Sequence, residues 1–468
     1  MNAYADFLKS KSQLGDGGGF EPTFLPDWLF GFQRHLVEWS VRMGRSAVFA
    51  DCGLGKTPMQ LVWAENVVRH TNRPVLVLTP LAVSYQTVQE AAKFGVEASR
   101  SDDGTPRPNV TVTNYERLGK FSPDDYAGVV CDESSILKHW TGATQKSVTR
   151  FMSHVPYRLL CTATPSPNDF VELGTSSEAL GDLTHSEMLQ VFFRQLSDDE
   201  KKKRAAATDI LHSRRLSWRV IQSIGQWCLK PHAPEPFWKW VASWARACRM
   251  PSDLGFPDDG FVLPPLNRRD HVVTPRTPPP GHLFNVPAFG LNQERAERIR
   301  ALDERCELVA ELVKDSDRAV VWCHLNPEGD RLEEMIPGAV QVKGSQSVER
   351  KEELLLAFLN GQVSKLVTKP KCAGLGLNMQ HCAHVVTFVS HSFEGQYQCI
   401  RRCLRFGQKR EVTLDVVSTE GEVNVARRLL RKEESAAKMA DGVVRNMNEA
   451  TAAKPRAGGR KVKVPTWL

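Results

Sequence analysis

The segment FADCGLGKTPM, residues 49–59, sets two glycines, a lysine and a threonine directly after the apolar run Ser46-Ala47-Val48-Phe49. That order suits a phosphate. Gly53 and Gly55 let backbone N–H groups turn toward an anion with no Cβ in the way. Lys56 would reach the β- and γ-phosphates of a nucleotide, and Thr57 would offer its hydroxyl to Mg²⁺. A helix beginning near Pro58 would add its N-terminal dipole, and proline suits a first helical turn. The usual loop reads G-x-x-x-x-G-K-[ST], and Ala50 stands where its first glycine belongs. Taken alone, the string also fits a turn followed by a threonine-capped helix.

Two further groups of residues could act with that loop. In VVCDESS, 129–135, an apolar strand ends in two acids. Asp132 at a strand tip can hold Mg²⁺, and Glu133 can orient and polarise an attacking water. Solvated loop acids are the plain alternative, and a Gly-Lys-Thr loop upstream argues against it. In YQCIRRCLRFGQ, 397–408, Arg402 and Arg405 sit three apart, so a helix would put both on one face. Guanidinium is planar, always charged and matched to phosphate oxygens. Without further context a basic surface helix is the default reading.

Strands that end in chemistry need a sheet to hold them. Short apolar runs occur at 46–50, 75–79, 109–113, 127–131 and 157–161, with longer polar-apolar stretches such as 57–70 and 82–94 between some of them. The pattern predicts βαβ units and a parallel sheet, whose chemistry collects at the carboxyl ends of the strands. The texture returns at 318–323, 339–342, 364–368, 384–389 and 412–417, predicting a second α/β block. Residues 171–290 differ: they carry Trp218, Trp227, Trp238, Trp240 and Trp244, the charged run DDEKKKR at 198–204 and the proline-rich TPRTPPPGH at 274–282. Phe237, Trp240, Val241 and Trp244 share one face at helical spacing, which reads as core before it reads as a base-stacking platform.

Composition sets outer limits. A chain of 468 residues, 41% hydrophobic and 25% charged, suits two or three soluble domains. No uncharged apolar run reaches the roughly 18 residues of a membrane helix, and the first 20 residues lack the apolar core of a secretory signal. The Gly-Gly-Gly run at 17–19 reads as a flexible lead-in. The 11 cysteines form no CxxC pair, so neither a disulfide frame nor a zinc site is expected, and a reducing cytoplasm is the simplest setting. His381, Cys382 and His384 lie close together, but no second ligand pair follows. The net charge of +7 leans toward a polyanionic partner. Part of it crowds the end of the chain at Lys454, Arg456, Arg460, Lys461 and Lys463, which reads as a solvated tail or a nonspecific phosphate-binding arm.

The motifs in order resemble a known family. FADCGLGKT, VLVLTPLAV (75–83), VTNYERL (112–118), VVCDESS and LLCTATPSPN (159–168) look like the first lobe of a superfamily-2 helicase, and more closely of the Swi/Snf-type ATPases. That family carries D-x-G-L-G-K-T and does not need the missing first glycine. VKGSQSVERKEELLLAF (342–358), KLVTKPKCAGLGLNMQHCAHVV (365–386) and YQCIRRCLRFGQ resemble motifs of its second lobe, with Gly374, Gly376, Asn378, Gln398, Arg402, Arg405, Gly407 and Gln408 in register. The matching motifs span roughly residues 30–415.

The resemblance implies two RecA-like parallel-sheet lobes with a mostly helical insertion between them. The expected divisions are a flexible N-terminus at 1–20, an ATP-binding lobe at 21–175, the insertion at 176–260, a C-terminal lobe at 261–435 and a basic tail at 436–468. It implies an ATP hydrolase with Mg²⁺ in the cleft. Gln33 would read the adenine edge, and Gly53, Gly55, Lys56, Thr57 and Gly376 would bind the nucleotide. Thr57 and Asp132 would hold the metal, Lys56, Asp132 and Glu133 would act from one lobe, and Arg402 and Arg405 would act as arginine fingers from the other. Thr79, Pro80, Thr113, Asn114 and Thr368 would grip nucleic-acid phosphates. The implied track is DNA, duplex before single-stranded, with RNA as the alternative. The compact build suggests a microbial or phage-type enzyme of the bacterial or infected-host cytoplasm. Departures are Ser134-Ser135 where many relatives have Ala-His, and FVSHSFEGQ where relatives show an aspartate and Trp-Asn-Pro. A P-loop kinase and a degenerate, non-hydrolysing binding module are the rival classes.

Overall fold

The computed structural model describes residues 18–80, 83–166, 169–200, 227–288, 290–373, 377–390 and 392–452. Two sheets organise them, and every strand pair in both is parallel. The first contains β1 (Arg45–Ala50), β2 (Val75–Thr79), β3 (Ala98–Arg100), β4 (Val110–Asn114), β5 (Gly128–Asp132), β6 (Tyr157–Cys161) and β9 (Ala245–Cys248), in the order β3-β4-β2-β5-β6-β1-β9. The second contains β10 (Leu266–Val273), β11 (Ala319–Trp322), β12 (Ala339–Val342), β13 (Lys365–Thr368), β14 (His384–Phe388) and β15 (Val412–Thr419), in the order β10-β15-β14-β11-β13-β12. A short antiparallel pair, β7 (Phe193–Gln195) and β8 (Trp227–Leu229), stands apart. These are the two parallel-sheet α/β lobes expected of a RecA-like pair.

Alternation along each strand feeds two cores, one per sheet face. Leu76, Leu78, Val129, Cys131 and Phe49 join one cluster, while Val75, Val77, Val130, Val48 and Ala50 join the other. The second sheet does the same, with Val320, Leu366 and Val385 on one side and Val321, Val367 and Val386 on the other. Strands covered on both faces lose their polar alternation, which is why they read as continuous apolar runs.

The stretch expected as a helical insertion is not separate from the first lobe. Ala47 to Ala50 of β1 pair with Ala245 to Cys248, so the end of that stretch supplies an edge strand. The helix Pro234–Trp244 buries Phe237, Trp240, Val241 and Trp244 in the first sheet's core, in line with the core reading of that face. The same cluster takes Val443, Val444 and Met447 from the last helix, Val423–Ala452, so the chain returns from the second lobe to pack on the first. Residues 436–452 of the expected tail therefore belong to a packed helix, while the lysine-rich stretch 453–468 and the lead-in 1–17 lie outside the described residues. Among the described residues no helix is long and apolar enough to cross a membrane.

Candidate nucleotide site and the cleft beside it

The loop after β1 is a turn fixed from three sides. The Asp51 N–H donates to the Cys248 carbonyl at 3.0 Å, prolonging the pairing with β9, and the Asp51 carbonyl accepts from the Leu54 N–H at 3.3 Å. Gly53 (φ 92°) and Gly55 (φ 75°) occupy left-handed conformations. Space also demands glycine: a Cβ on Gly53 would lie 2.8 Å from the Phe406 nitrogen, and one on Gly55 would lie 2.3 Å from Nε2 of Gln33. The helix Lys56–Thr71 starts two residues earlier than expected, with Lys56 and Thr57 in its first turn, and no side chain caps its N-terminus. Its leading amides and dipole face the loop as an anion site would need. Lys56 Nζ folds back onto the carbonyls of Ala50 at 3.0 Å and Asp51 at 3.4 Å. Burial opposes its charge, but Cys52, Glu133, Asp132 and Asp51 around it outweigh burial and raise its pKa.

The acids stand at the end of β5, across β6 from the loop. Asp132 Oδ1 accepts from Gln60 Nε2 at 2.7 Å, and the Asp132 carbonyl accepts from the Tyr115 hydroxyl at 2.6 Å. Burial and the neighbouring Glu133 push Asp132 up to about 6. Glu133 has φ 51° and ψ 51°. Asn72 shares that region, where asparagine is common, but a glutamate there is strained. Thr162 Oγ1 donates to Glu133 Oε2 at 3.5 Å.

The arginines reach the loop by a different route from the one their spacing suggested. The helix Phe393–Ile400 ends before them, and Arg402 and Arg405 sit in the turns that follow. The Arg402 carbonyl is taken by the Met379 N–H at 2.9 Å, so it cannot serve a continuing helix. Arg402 is buried, donates to the Gln398 carbonyl at 3.2 Å, and brings its guanidinium to 4.0 Å from Glu133. Arg405 donates to the Leu377 carbonyl at 3.4 Å, and its Cα lies 3.6 Å from where a Gly53 side chain would begin. Arg401, which lies between the motif's glutamine and its two arginines, donates to Asp51 Oδ2 at 2.8 Å. The Tyr397 hydroxyl donates to Asp51 Oδ1. The available signal was the i,i+4 spacing of Tyr397 and Arg401, one helical turn apart.

Gln33 is buried beneath the loop. Its Nε2 donates to the Leu54 carbonyl at 2.9 Å and its Oε1 accepts from the Phe30 N–H at 3.2 Å, so its amide fastens the helix Gly31–Met43 to the loop. Gly374 and Gly376 lie outside the described residues, as does Asn168.

The expected phosphate grips do not face solvent. Thr79, Thr113, Asn114 and Thr368 are all buried. The Thr79 hydroxyl donates to the carbonyls of Pro80 at 3.2 Å and Thr113 at 3.3 Å, Asn114 Oδ1 accepts from the Arg117 N–H at 3.2 Å, and the Thr368 hydroxyl donates to the Val342 carbonyl at 3.0 Å. In this arrangement all four side chains are buried at or beside strand ends. Pro80 does border an open cleft between the lobes, of about 1360 Å³. Its cations are Lys93 and Lys138 from the first lobe and Lys351, Lys369 and Lys371 from the second. Glu394 bridges the cleft, pairing with Lys138 and accepting from the Thr164 hydroxyl at 3.3 Å.

No protein-family model matches the chain, and no curated protein matches it. Among solved structures it is similar to the Sulfolobus solfataricus SWI2/SNF2 ATPase core in complex with dsDNA, at 15% identity over 92% of this chain and 96% of that one, with a TM-score of 0.39.

Proposed function

We propose that this chain hydrolyses ATP in the cleft between its lobes and uses the cycle of closure to move along nucleic acid, with duplex DNA as the track. One observation carries the reading. The loop and Glu133 of the first sheet meet the arginines of the second, with Arg402 4.0 Å from Glu133 and the Arg405 segment against Gly53. A surface basic helix would have no reason to be buried against a glycine loop and an acid pair.

The residues fit ATP with Mg²⁺ on their own chemistry. Side chains at Gly53 and Gly55 would collide with their neighbours, the helix N-terminus is uncapped, and two carboxylates are buried side by side. Thr57 and Asp132 would hold Mg²⁺, which supplies neutralisation of phosphate charge when bound. Lys56 would leave its loop carbonyls for phosphate oxygens. Glu133 would orient water for attack on the γ-phosphorus and accept its proton, while the bond to the ADP oxygen breaks. Arg402 and Arg405 would steady the charge that spreads over the transferred group, a contribution on the order of 10³–10⁵ in rate for such fingers. The lysines of the open cleft would hold the track by its backbone and so without regard to sequence. The choice of duplex DNA rests on the Swi/Snf-type resemblance of the motifs.

The test is ATP turnover against concentration of duplex DNA, single-stranded DNA and RNA at two salt levels. Turnover should be slow alone and faster with duplex, then single strand, then RNA. If about five phosphates are neutralised, log affinity should fall with a slope near −4.5 against log salt. Absence of stimulation by any polymer would reject the motor; stimulation by RNA alone would keep it and change the track.

A further inference from the structure

The contact between Asp51 and the second lobe is more specific than the closure of two surfaces requires. Asp51 is the residue at which β1 becomes the loop. Its Oδ1 accepts from the N–H of Cys52 at 2.6 Å and from the Tyr397 hydroxyl, and its Oδ2 accepts from Arg401 at 2.8 Å. Its carbonyl closes the turn with Leu54 and is one of the two oxygens on which Lys56 rests. The fold thus gives one carboxylate two partners from the other lobe and one from its own loop.

Those two partners are prepared for the task. Tyr397 and Arg401 lie one turn apart at the end of the helix Phe393–Ile400, and the guanidinium stands 5.1 Å over the tyrosine ring. That stacking orients the planar fork before it meets the acid. The side chains of Arg401 and Asp51 are 17% and 14% exposed, so water screens the pair weakly. Burial and the nearby Asp51 raise the Tyr397 hydroxyl far above its ordinary pKa, which keeps it a donor. The next residue, Arg402, points instead to Glu133. One helix end therefore addresses both the loop and the acid.

We infer that Tyr397 and Arg401 are positioning residues that set the phosphate loop through Asp51, so that the turn 51–54 and Lys56 are ordered when the second lobe is docked. The inference rests on the loop being the phosphate site proposed above. Docking then does two things at once: it delivers Arg402 and Arg405, and it fixes the cradle they act across.

Two readouts separate this from a merely adhesive contact. The first is hydrogen exchange of the segment 48–57 without nucleotide, in Arg401→Ala, Arg401→Lys and Tyr397→Phe. Tyr397→Phe removes one hydroxyl and keeps the ring, so folding is safe. Exchange should quicken in that segment and not through the rest of the first lobe, most in Arg401→Ala, with Arg401→Lys partly restored because the charge returns without the fork. The second is steady-state turnover. kcat should fall by about tenfold to a hundredfold in Arg401→Ala, the scale of a sub-ångström misplacement, with KM for ATP moving by about threefold or less. Unchanged exchange in all three variants overturns the inference, as does a loss confined to KM. If the unaltered protein turns over no ATP, the proposed function fails, while the exchange result still decides whether Asp51 carries the second lobe's position to the loop.

Discussion

In the first lobe's cleft, Asp132 and Glu133 are buried beside each other, and burial with Glu133 pushes Asp132 up to about 6. In the second lobe, Asp415 is also fully buried, but Arg269, His271 and His384 converge on it at 2.6–2.8 Å and hold it well below the carboxylate range against its burial. Glu328 is likewise enclosed. Burial alone would raise it, yet Arg305 at 2.9 Å and the N–H groups of Leu325 and His324 keep it low. The two lobes share an architecture and differ in how they treat acids. The second lobe supplies each of these acids with cations and donors from its own strands and helices. The first stacks two acids and leaves the shortfall to Lys56, Gln60 and an arginine 4.0 Å away. An acid whose partners come from the fold is structural; under the proposed function, one left short is the one a ligand would answer.

The largest effects should follow from breaking the first kind of site. Lys56→Ala should abolish ATP turnover, and Glu133→Gln should lower it by orders of magnitude while ATP binding survives. Neither opens a core cavity, so both should stay folded; Lys56→Ala should be the less stable, because it takes a cation from the buried acids, and Glu133→Gln should cost little, because it removes a charge beside Asp132. Arg405→Ala should lower kcat by about 10³ or more with a smaller change in ATP affinity, because its contact is made in the closed, reacting state. Turnover and thermal melting measured on the same preparations decide this. Full turnover in Lys56→Ala would remove the phosphate assignment, and loss of ATP binding in Glu133→Gln would remove the role given to that acid.

The second kind of site should behave in the opposite way. Arg305 and Glu328 are both completely buried, and Arg305 also lies 4.1 Å over the ring of Phe388. Arg305→Met leaves Glu328 without its cation and should cost about 3–5 kcal/mol in denaturant unfolding. Adding Glu328→Gln should recover part of that loss. Turnover per folded molecule should be unchanged well below the melting temperature. A variant that keeps its stability and loses turnover would erase the distinction between the lobes.

How far the sequence showed this depends on the range of the interaction. The central strands were legible because burial on both faces makes them apolar runs such as VLVLT and AVVW. The loop and the acids were legible because each is contiguous in the chain. Of the edge strands, β12 was legible as the run 339–342, but β9 and β10 were not. β9 is four residues whose partner β1 lies almost 200 positions earlier, and β10 reads LNRRDHVV because an edge strand with an exposed face need not be apolar. The arginines were found by register but given the wrong local structure, since the Met379 N–H that captures the Arg402 carbonyl is fixed by tertiary packing. Thr79, Thr113, Asn114 and Thr368 stand at or beside strand ends, and sequence does not say which way a strand-end side chain turns. The role of Arg401 is invisible in sequence because its partner, Asp51, is 350 residues away.

The smallest effect is the sharpest test of the comparison, because it turns on sign. Asp132 has its pKa raised from an ordinary 3.8 to about 6. A raised carboxylate contributes stability below about pH 3.8, and that contribution is lost as pH rises through about 6. Asp415 and Glu328 are lowered, so their contribution is present above the ordinary carboxylate range and is lost as pH falls through their folded values. Asp132→Asn keeps an oxygen for Gln60 and cannot ionise. In metal-free protein at pH 7.5 it should therefore melt above the unaltered chain, by an amount on the order of 2–4 °C per kcal/mol of relief. Near pH 4.5 the difference should be smaller, and it should vanish only below about pH 3.8, where the unfolded chain is protonated as well. Asp415→Asn should melt lower at pH 7.5, and its deficit should narrow as the solution is acidified. If Asp132→Asn is the less stable protein at both pH values, Asp132 is a satisfied structural acid like Asp415, and the cleft has no unmet charge for a nucleotide-bound cation to answer.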